Sequence, residues 1–281
     1  MPRVVVTGGS GKLGQACVTD LVGHGWDVVN VDRAPSPHPV SPFLRVDLTD
    51  FGQTVEALSV NDGYHGVDAV VHLAAIPAPG LTTNAATFAN NITSTYNVFA
   101  AARHAGIKNI VWASSETVLG LPFDTPPPYI PVDEEYTARP ESTYSLTKHL
   151  EEQMARQFCR WDADLKMIGL RFSNVMNPTD YLEFPGYDAD PGGRKWNLWG
   201  YIDARDGAQA IRKALAYETK GCDVFIIAAA DTVMSRSNDE LTTQIFPDVE
   251  VRGDVGEHNT LLSIDKARQM LGFEPEFSWR S

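Results

Sequence analysis

Cysteines and long apolar runs are scarce in this 281-residue sequence, and both shortages exclude classes of protein. No stretch approaches the roughly 18 consecutive apolar residues of a membrane-spanning helix, so we expect no membrane span. The cysteines Cys17, Cys159 and Cys222 lie far apart within apolar patterns. Their odd number predicts reduced core thiols and a cytoplasmic location. The first predicted strand begins almost at the first residue, which leaves no room for a signal peptide.

Clustered positive charge and metal-ligand spacing are also lacking. The formal net charge is −13, and the basic residues are scattered along the chain. We therefore expect no nucleic acid among the partners. His72, His104 and His149 are isolated, and no His or Cys pair has the spacing of metal ligands. The sequence therefore predicts no metal site.

The first 32 residues, by contrast, carry a strong pattern. A valine-rich strand runs into the segment Thr7–Gly14, whose glycines have the spacing G-x-x-G-x-x-G. An apolar-periodic segment follows, and a second valine-rich strand ends at Asp32. This order of strand, turn, helix, strand and acid is the fingerprint of a dinucleotide-binding βαβ unit.

The three regularly spaced glycines of this segment each have a predicted physical role. Gly8 allows a sharp turn, Gly11 lets the backbone approach the pyrophosphate, and Gly14 lets the helix pack closely on the sheet. The helix N-terminus then offers N–H groups to the phosphates. The candidate cofactor-binding residues of the loop are Gly8, Ser10, Gly11, Lys12, Leu13 and Gly14.

Asp32 predicts which dinucleotide binds. Its carboxylate would accept hydrogen bonds from the adenosine ribose and repel a 2′-phosphate, so we expect NAD rather than NADP. Arg33 and Lys12 keep NADP as the alternative, because either could contact a 2′-phosphate. Asp47, followed by Leu48, is a candidate for the adenine amino group, or it simply starts the next helix.

Later segments extend the alternation of strands and helices, which predicts a parallel, doubly wound sheet. The small residues after a buried strand at Leu73–Ala75 leave space for a ligand at the sheet's carboxyl edge. Leu73, Ala74 and Ala75 are therefore further cofactor candidates. A helix capped by Ser142 carries Tyr144 and Lys148 one turn apart, on one face.

These pieces together resemble the extended short-chain dehydrogenases/reductases of the NAD-dependent epimerase/dehydratase group. The matching segments occur in the family's order and cover nearly the whole chain. They are Thr7–Gly14, Asp32, Asp47–Leu48, His72–Ala75, Asn91, Ser114–Ser115, Tyr144–Lys148, Leu170–Asn174, Tyr201–Asp206, Asp265–Arg268 and Leu271–Pro275. Ser94 and Leu119 depart from the family's usual glycine and tyrosine.

The resemblance implies a catalytic set. Tyr144 is the base that removes a substrate hydroxyl proton, and Lys148 favours its phenolate and binds the nicotinamide ribose. Ser115 orients the reacting oxygen, and Asn91 supports Lys148. Asn91, Tyr144 and Lys148 thus also count as cofactor contacts.

The substrate region is predicted to be small, because only 26 residues separate Asn174 from Tyr201. In this respect the chain resembles the family's dehydrogenases of free sugars and sugar acids, such as the uronate dehydrogenases. Arg194 could clamp a carboxylate and Trp196 could stack on a sugar. Alternatively, Trp196 and Trp199 cap the core while Arg194 and Lys195 face water. The candidate substrate residues are Ser115, Glu116, Thr117, Asn174, Arg194 and Trp196.

Three functional hypotheses follow: an NAD-dependent dehydrogenase of a small sugar, sugar acid or polyol, a nucleotide-sugar epimerase or dehydratase with bound NAD, and a non-catalytic dinucleotide sensor. Two domains are predicted. Residues 1–174 and 201–230 form a Rossmann-type NAD(P)-binding domain, and residues 175–200 and 231–281 form a small substrate lobe.

The resemblance also implies a homodimer formed by the helices near 87–105 and 142–161. The extra apolar residues of these helices are Val98, Phe99, Met154 and Phe158.

Overall fold

The structure, a computed structural model, describes residues 1–59 and 66–281. Short strands alternate with helices along the chain. The strands are β1 (Arg3–Thr7), β2 (Asp27–Asp32), β3 (Phe43–Arg45), β4 (Ala69–His72), β5 (Asn109–Ser115), β6 (Tyr129–Ile130), β7 (Lys166–Phe172), β8 (Val175–Met176), β9 (Ile202–Asp203), β10 (Gly221–Ile227) and β11 (Glu250–Val251). The α-helices are α1 (Lys12–Gly23), α2 (Phe51–Leu58), α3 (Asn84–His104), α4 (Thr143–Trp161), α5 (Ala204–Ala216), α6 (Asn238–Ile245) and α7 (Asp265–Leu271).

Seven of the described strands form one parallel sheet in the order β10-β7-β5-β4-β1-β2-β3. The chain runs outward from β1 through β2 to β3, then crosses back to β4 on the other side of β1. This reversal opens a crevice at the carboxyl ends of β1 and β4, the place where open α/β sheets bind their ligands. The predicted doubly wound, Rossmann-type sheet is confirmed.

Both faces of the sheet are covered, which explains why the middle of β1, Val4–Val6, is entirely apolar. Val4 and Val6 point into the core shared with α1 and α5, whereas Val5 points into the core shared with α3 and α4. Successive residues of a strand face opposite sides, so a strand covered on both sides reads as a continuous apolar run.

The helix that carries the tyrosine and lysine begins as predicted. Ser142 caps α4, because its hydroxyl accepts a hydrogen bond from the Ser145 backbone while the Ser145 hydroxyl accepts one from the Ser142 backbone. α3, by contrast, begins at Asn84, three residues before the predicted start, because the Thr83 side chain caps it. Threonine is a common N-cap residue, but the apolar pattern used for the prediction does not reveal the role of Thr83.

The apolar residues singled out for a dimer interface belong to the core instead. Val98, Phe99 and Phe158 are at most 3% exposed, and Met154 packs against the same cluster. The exposed apolar side chains on these two helices are different ones: Phe88, Tyr96, Leu146, Leu150 and Trp161.

The stretch between β8 and β9 folds into two 3₁₀ segments, Pro178–Ala189 and Pro191–Asn197. Phe184 anchors the first segment by packing against Tyr181, Tyr201 and Trp279. The C-terminal part of the predicted lobe packs in two places. α6 packs near the second 3₁₀ segment, whereas α7 packs on β10 of the main sheet and on helix α5. The predicted domain boundaries stay a prediction.

Candidate active site

A cleft of about 860 Å³ lies along the carboxyl ends of the sheet strands. It runs from the glycine loop and Asp32 past the turn after β4 to Ser115 and α4, and it ends at Asn174 and Trp196. The structure therefore brings nearly all predicted site residues together. The lining residues that the sequence interpretation missed include Ala34, Pro35, Val46, Thr49, Ile76, Pro77, Ala78, Pro79, Asn90, Ser94, Ala113, Ser114, Phe172, Ser173 and Val175.

The glycine loop is shaped by contacts that only glycine permits. Gly8 has φ +72°, and a Cβ there would lie 2.6 Å from the Ala74 backbone nitrogen. A Cβ on Gly14 would lie 2.1 Å from the Gly8 carbonyl oxygen, so the start of α1 presses directly on the turn. A Cβ on Gly11 would have only one neighbour, at 3.3 Å. Gly11 thus faces open cleft, as a backbone that approaches a ligand would.

The acidic end of the cleft is preorganised. The Asp32 carboxylate accepts hydrogen bonds from the backbone nitrogens of Ser10, at 3.1 Å, and Arg33, at 2.6 Å. The Arg33 side chain turns away from Asp32 to Asp47, 3.0 Å away. Hydrogen bonds from Thr49 and Arg33 lower the pKa of Asp47 to about 2. Asp47 does not line the cleft, whereas Leu48 beside it does.

Ser115, Tyr144 and Lys148 meet at the middle of the cleft. Ser115 ends β5 and its hydroxyl accepts hydrogen bonds from Thr117, whereas the Ser114 hydroxyl donates to Glu152 at 2.7 Å. Burial raises the pKa of Tyr144, and the charge of Lys148 and a hydrogen bond with Ser115 counteract it. The Ser114 hydroxyl thus donates to a buried carboxylate, and the choice of Ser115 over Ser114 stays a prediction.

Lys148 is 3% exposed and has two protein partners, which hold its ammonium group in place. Its Nζ donates to the Ala113 carbonyl at 2.8 Å and to Glu151 Oε2 at 2.9 Å. Burial alone would lower the pKa of Lys148, but attraction to Glu151 and Tyr144 outweighs it and the pKa is raised. The surroundings of Lys148 therefore favour its cationic form, and its charge acts on Tyr144.

Glu151 is a site residue that the sequence interpretation missed. It lies three residues after Lys148, on the same helical face, and it is fully buried. That spacing is the signal that could have revealed it, because residues i and i+3 of a helix are neighbours. The next residue, Glu152, binds Arg171 with both carboxylate oxygens and so fixes α4 on β7.

Asn91 has a structural position that differs from the predicted one. It is fully buried and does not line the cleft. Its side chain accepts from the Ile76 nitrogen at 2.8 Å and donates to the Ile76 carbonyl at 3.1 Å. Asn91 thereby shapes the turn after β4, which forms one wall of the cleft.

The substrate end of the cleft is dominated by Glu116, which directly follows Ser115 and is 2% exposed. Its carboxylate accepts hydrogen bonds from Ser173 Oγ at 2.5 Å and Asn197 Nδ2 at 3.1 Å. Burial raises the pKa of Glu116 to about 7, although these bonds and the charge of Arg194 oppose the rise.

The aromatic residues of the second 3₁₀ segment divide between cleft and core. Trp196 lines the cleft, whereas Trp199 is fully buried against Phe246. Arg194 does not line the cleft, because its guanidinium is stacked between Trp196, 4.7 Å from the ring centre, and Tyr187, at 5.0 Å. Trp199 thus caps the core, Arg194 neither lines the cleft nor faces water, and stacking of Trp196 on a sugar stays a prediction.

The cleft fits a dinucleotide on its own geometry. Gly11 leaves room for a close approach beside the start of α1, where helix N–H groups favour phosphate. Asp32 stands at the end of β2 with its carboxylate fixed toward the cleft, where a ribose would lie. The volume and the apolar turn at Leu73–Ala75 suit an extended ligand that reaches Lys148.

Comparison with known proteins agrees with this geometry. The model of the NAD dependent epimerase/dehydratase family matches residues 4–189. The chain belongs to this family. Its match covers the glycine loop, the Ser115 strand and α4, so the elements that form the cleft are those of the family.

Individual relatives are sugar-nucleotide enzymes. The UDP-glucose 4-epimerase of Drosophila melanogaster is 30% identical over 72% of this chain and 60% of that protein. The UDP-glucose 4-epimerase of Rhizobium leguminosarum bv. trifolii is 26% identical over 98% of this chain and 93% of that protein. The solved structure of MoeE5 in complex with UDP-glucuronic acid and NAD has a TM-score of 0.73 at 25% identity, and the match covers 99% of this chain and 95% of the MoeE5 chain. The chain spans about 60% of the length of the first curated relatives.

Two classes of feature are missing from residues 1–59 and 66–281. None of the helices there is both long and apolar enough to cross a bilayer. No group of three or more His, Cys, Asp or Glu side chains in this part of the chain could hold a metal ion.

Proposed function

We propose that the protein is an NAD-dependent oxidoreductase that transfers hydride between NAD and a hydroxyl carbon of a small sugar or related polyhydroxy compound. The observation that carries the proposal is the meeting of Ser115, Tyr144 and Lys148 halfway along a cleft that fits a dinucleotide. A non-catalytic sensor would need the glycine loop but no buried lysine beside a tyrosine. Membership of the family supports the same class of reaction.

The chemistry of this proposal divides simply between cofactor and protein. When bound, NAD would supply the acceptor for the hydride of the hydroxyl carbon. Tyr144 removes the hydroxyl proton, and Ser115 hydrogen-bonds the reacting oxygen and orients it. Lys148 favours the phenolate of Tyr144 by its charge and, from the same helix face, binds the nicotinamide ribose. Burial of the tyrosine makes this charge necessary, because desolvation acts against the phenolate.

We expect Asp32→Ala to relax the discrimination against NADP. In the wild type the carboxylate would bind the ribose hydroxyls and repel a 2′-phosphate, and the substitution removes both effects. The affinity for NAD should fall and the ratio of NAD to NADP affinities should drop by about tenfold or more. Fluorescence titration with both cofactors measures the ratio. A ratio that does not move would place Asp32 away from the ribose, and Asp20→Ala, outside the cleft, is the control.

A sugar-nucleotide 4-epimerase is the second candidate, and the similarity to UDP-glucose 4-epimerases favours it. An epimerase returns the hydride to its substrate, so NADH does not accumulate. Absorbance at the NADH band therefore separates the two functions when the protein, supplied with NAD, is offered free sugars, polyols and sugar nucleotides. Steady NADH formation with an uncapped compound supports the first. Conversion of a sugar nucleotide to its epimer without NADH supports the second.

The remaining assignments are proposals with partial support. The two 3₁₀ segments would form most of the substrate lobe, because Trp196 and the Lys12–Asp180 ion pair, 2.8 Å long, bring them to the cleft. A homodimer is supported by the exposed apolar side chains on α3 and α4, among them Tyr96 and Trp161. A cytoplasmic location is supported by the three free thiols.

A further inference from the structure

The cations that line the described cleft are each paired with a carboxylate. Among the described residues, the cations that line it are Lys12, Arg33 and Lys148. Lys12 pairs with Asp180 at 2.8 Å, Arg33 with Asp47 at 3.0 Å and Lys148 with Glu151 at 2.9 Å. Arg33 lies at the adenosine end, next to Asp32. An anionic group on a substrate would therefore have to compete with a carboxylate for each of these cations.

A carboxyl group, by contrast, lies at the end of the cleft near Asn174 and Trp196, where we place the substrate, and it is an anion above its pKa of about 7. Glu116 follows Ser115 directly and lines the cleft, and its carboxylate is held by Ser173 and Asn197. The backbone of Asn174 also hydrogen-bonds it. The carboxylate is thus fixed next to the reacting position and cannot swing away without breaking buried hydrogen bonds.

The positive charge that acts on Glu116, that of Arg194, does not face the cleft. The Arg194 guanidinium is 8% exposed, lies between the rings of Tyr187 and Trp196, and donates to the Gly200 carbonyl. It attracts Glu116 but does not reach the cleft surface. The groups that do face a substrate there are Glu116, the uncharged polar residues Thr117, Ser173 and Asn174, and the Trp196 ring.

We propose that the substrate is an uncharged sugar or polyol, carrying neither carboxylate nor phosphate, and that Glu116 excludes anionic analogues. The inference rests on the proposed function. A hydroxyl can donate a charge-assisted hydrogen bond to Glu116, and a sugar ring can stack on Trp196. A carboxylate or phosphate placed there would meet the like charge of a buried carboxylate, which water screens only weakly.

Matched pairs of compounds test this without any mutation. Glucose with glucuronate, and galactose with galacturonate, differ only in a CH₂OH or a carboxylate at the last carbon. Each is offered with NAD at about pH 9, above the pKa of Glu116, which is about 7. Two readouts are taken, the kcat/KM for NADH formation and the rise in unfolding temperature on binding. We expect the neutral member of a pair that binds to be preferred by at least about tenfold.

The variant Glu116→Gln tests whether the charge of Glu116 causes the preference for the neutral sugar. Gln has the same shape and can keep partners in Ser173 and Asn197, but it carries no charge. The preference for the neutral member should fall by about tenfold. The control Glu183→Gln makes the same chemical change at an exposed position of the first 3₁₀ segment, outside the cleft, and should leave the preference unchanged.

The outcomes are distinct. Equal or stronger binding of the uronates, or of a sugar nucleotide, by the wild type would overturn the inference even if hydride transfer stands. Wild-type preference that survives in Glu116→Gln would overturn the role of Glu116. Failure of the proposed function would give a different result: the neutral sugars would bind more tightly than the uronates, but no compound would yield NADH.

Discussion

Replacing Tyr144 with phenylalanine should lower kcat by at least about a thousandfold and leave the affinity for NAD within about twofold. The substitution removes the hydroxyl that takes the substrate proton. The ring stays in place, because Tyr144 is buried in the cleft wall and Phe fills the same volume. The measurements are NADH formation with the substrate that the compound panel identifies and fluorescence titration with NAD.

The control for this prediction is Tyr217→Phe. Tyr217 packs against Phe225 at the far edge of the sheet and does not line the cleft. It should keep wild-type turnover. If Tyr144→Phe retained turnover, the base would be another residue. If it lost the affinity for NAD instead, Tyr144 would have a binding role and not the proposed one.

Replacing Lys148 with methionine should both abolish turnover and destabilise the protein by about 3 kcal/mol. The loss of turnover follows because burial then acts unopposed against the Tyr144 phenolate. The loss of stability follows because Glu151, with a fully buried side chain, is left without its cation. Urea unfolding followed by circular dichroism measures the free energy of unfolding.

The double variant Lys148→Met, Glu151→Gln separates the two effects. Removing both members of a buried ion pair avoids an uncompensated charge, so most of the stability should return. Turnover should stay lost, because the charge beside Tyr144 is still absent. Wild-type stability in the single variant would contradict the view that Lys148 and Glu151 depend on each other.

The parts of the site that the sequence predicted are local in the chain. The glycine loop is contained in eight residues, and each of its three regularly spaced glycines is required by the turn, the approach to a ligand or helix packing. Tyr144 and Lys148 share a helix face by their spacing alone. The order of strands and helices was equally readable, because the central strands carry apolar runs covered on both faces, such as Val4–Val6 and Ala69–Val71.

The parts that it did not predict depend on contacts between distant segments. Asn197 donates to Glu116 from 81 residues away, and Lys12 pairs with Asp180 from 168 residues away. No periodicity specifies such partners. Arg194 shows the same limit. Its guanidinium group suggested a carboxylate clamp, but it stacks between the rings of Tyr187 and Trp196 and does not face the cleft.

The measurement that tests the central claim most directly follows a deuterium atom. A substrate found by the compound panel is labelled at the carbon that bears the reacting hydroxyl, and the protein converts it in the presence of NAD. The account predicts that deuterium is recovered in the reduced cofactor or, for an epimerase, returned to the same carbon of the product. Loss of the label to water would contradict hydride transfer and with it the roles proposed for Ser115, Tyr144 and Lys148.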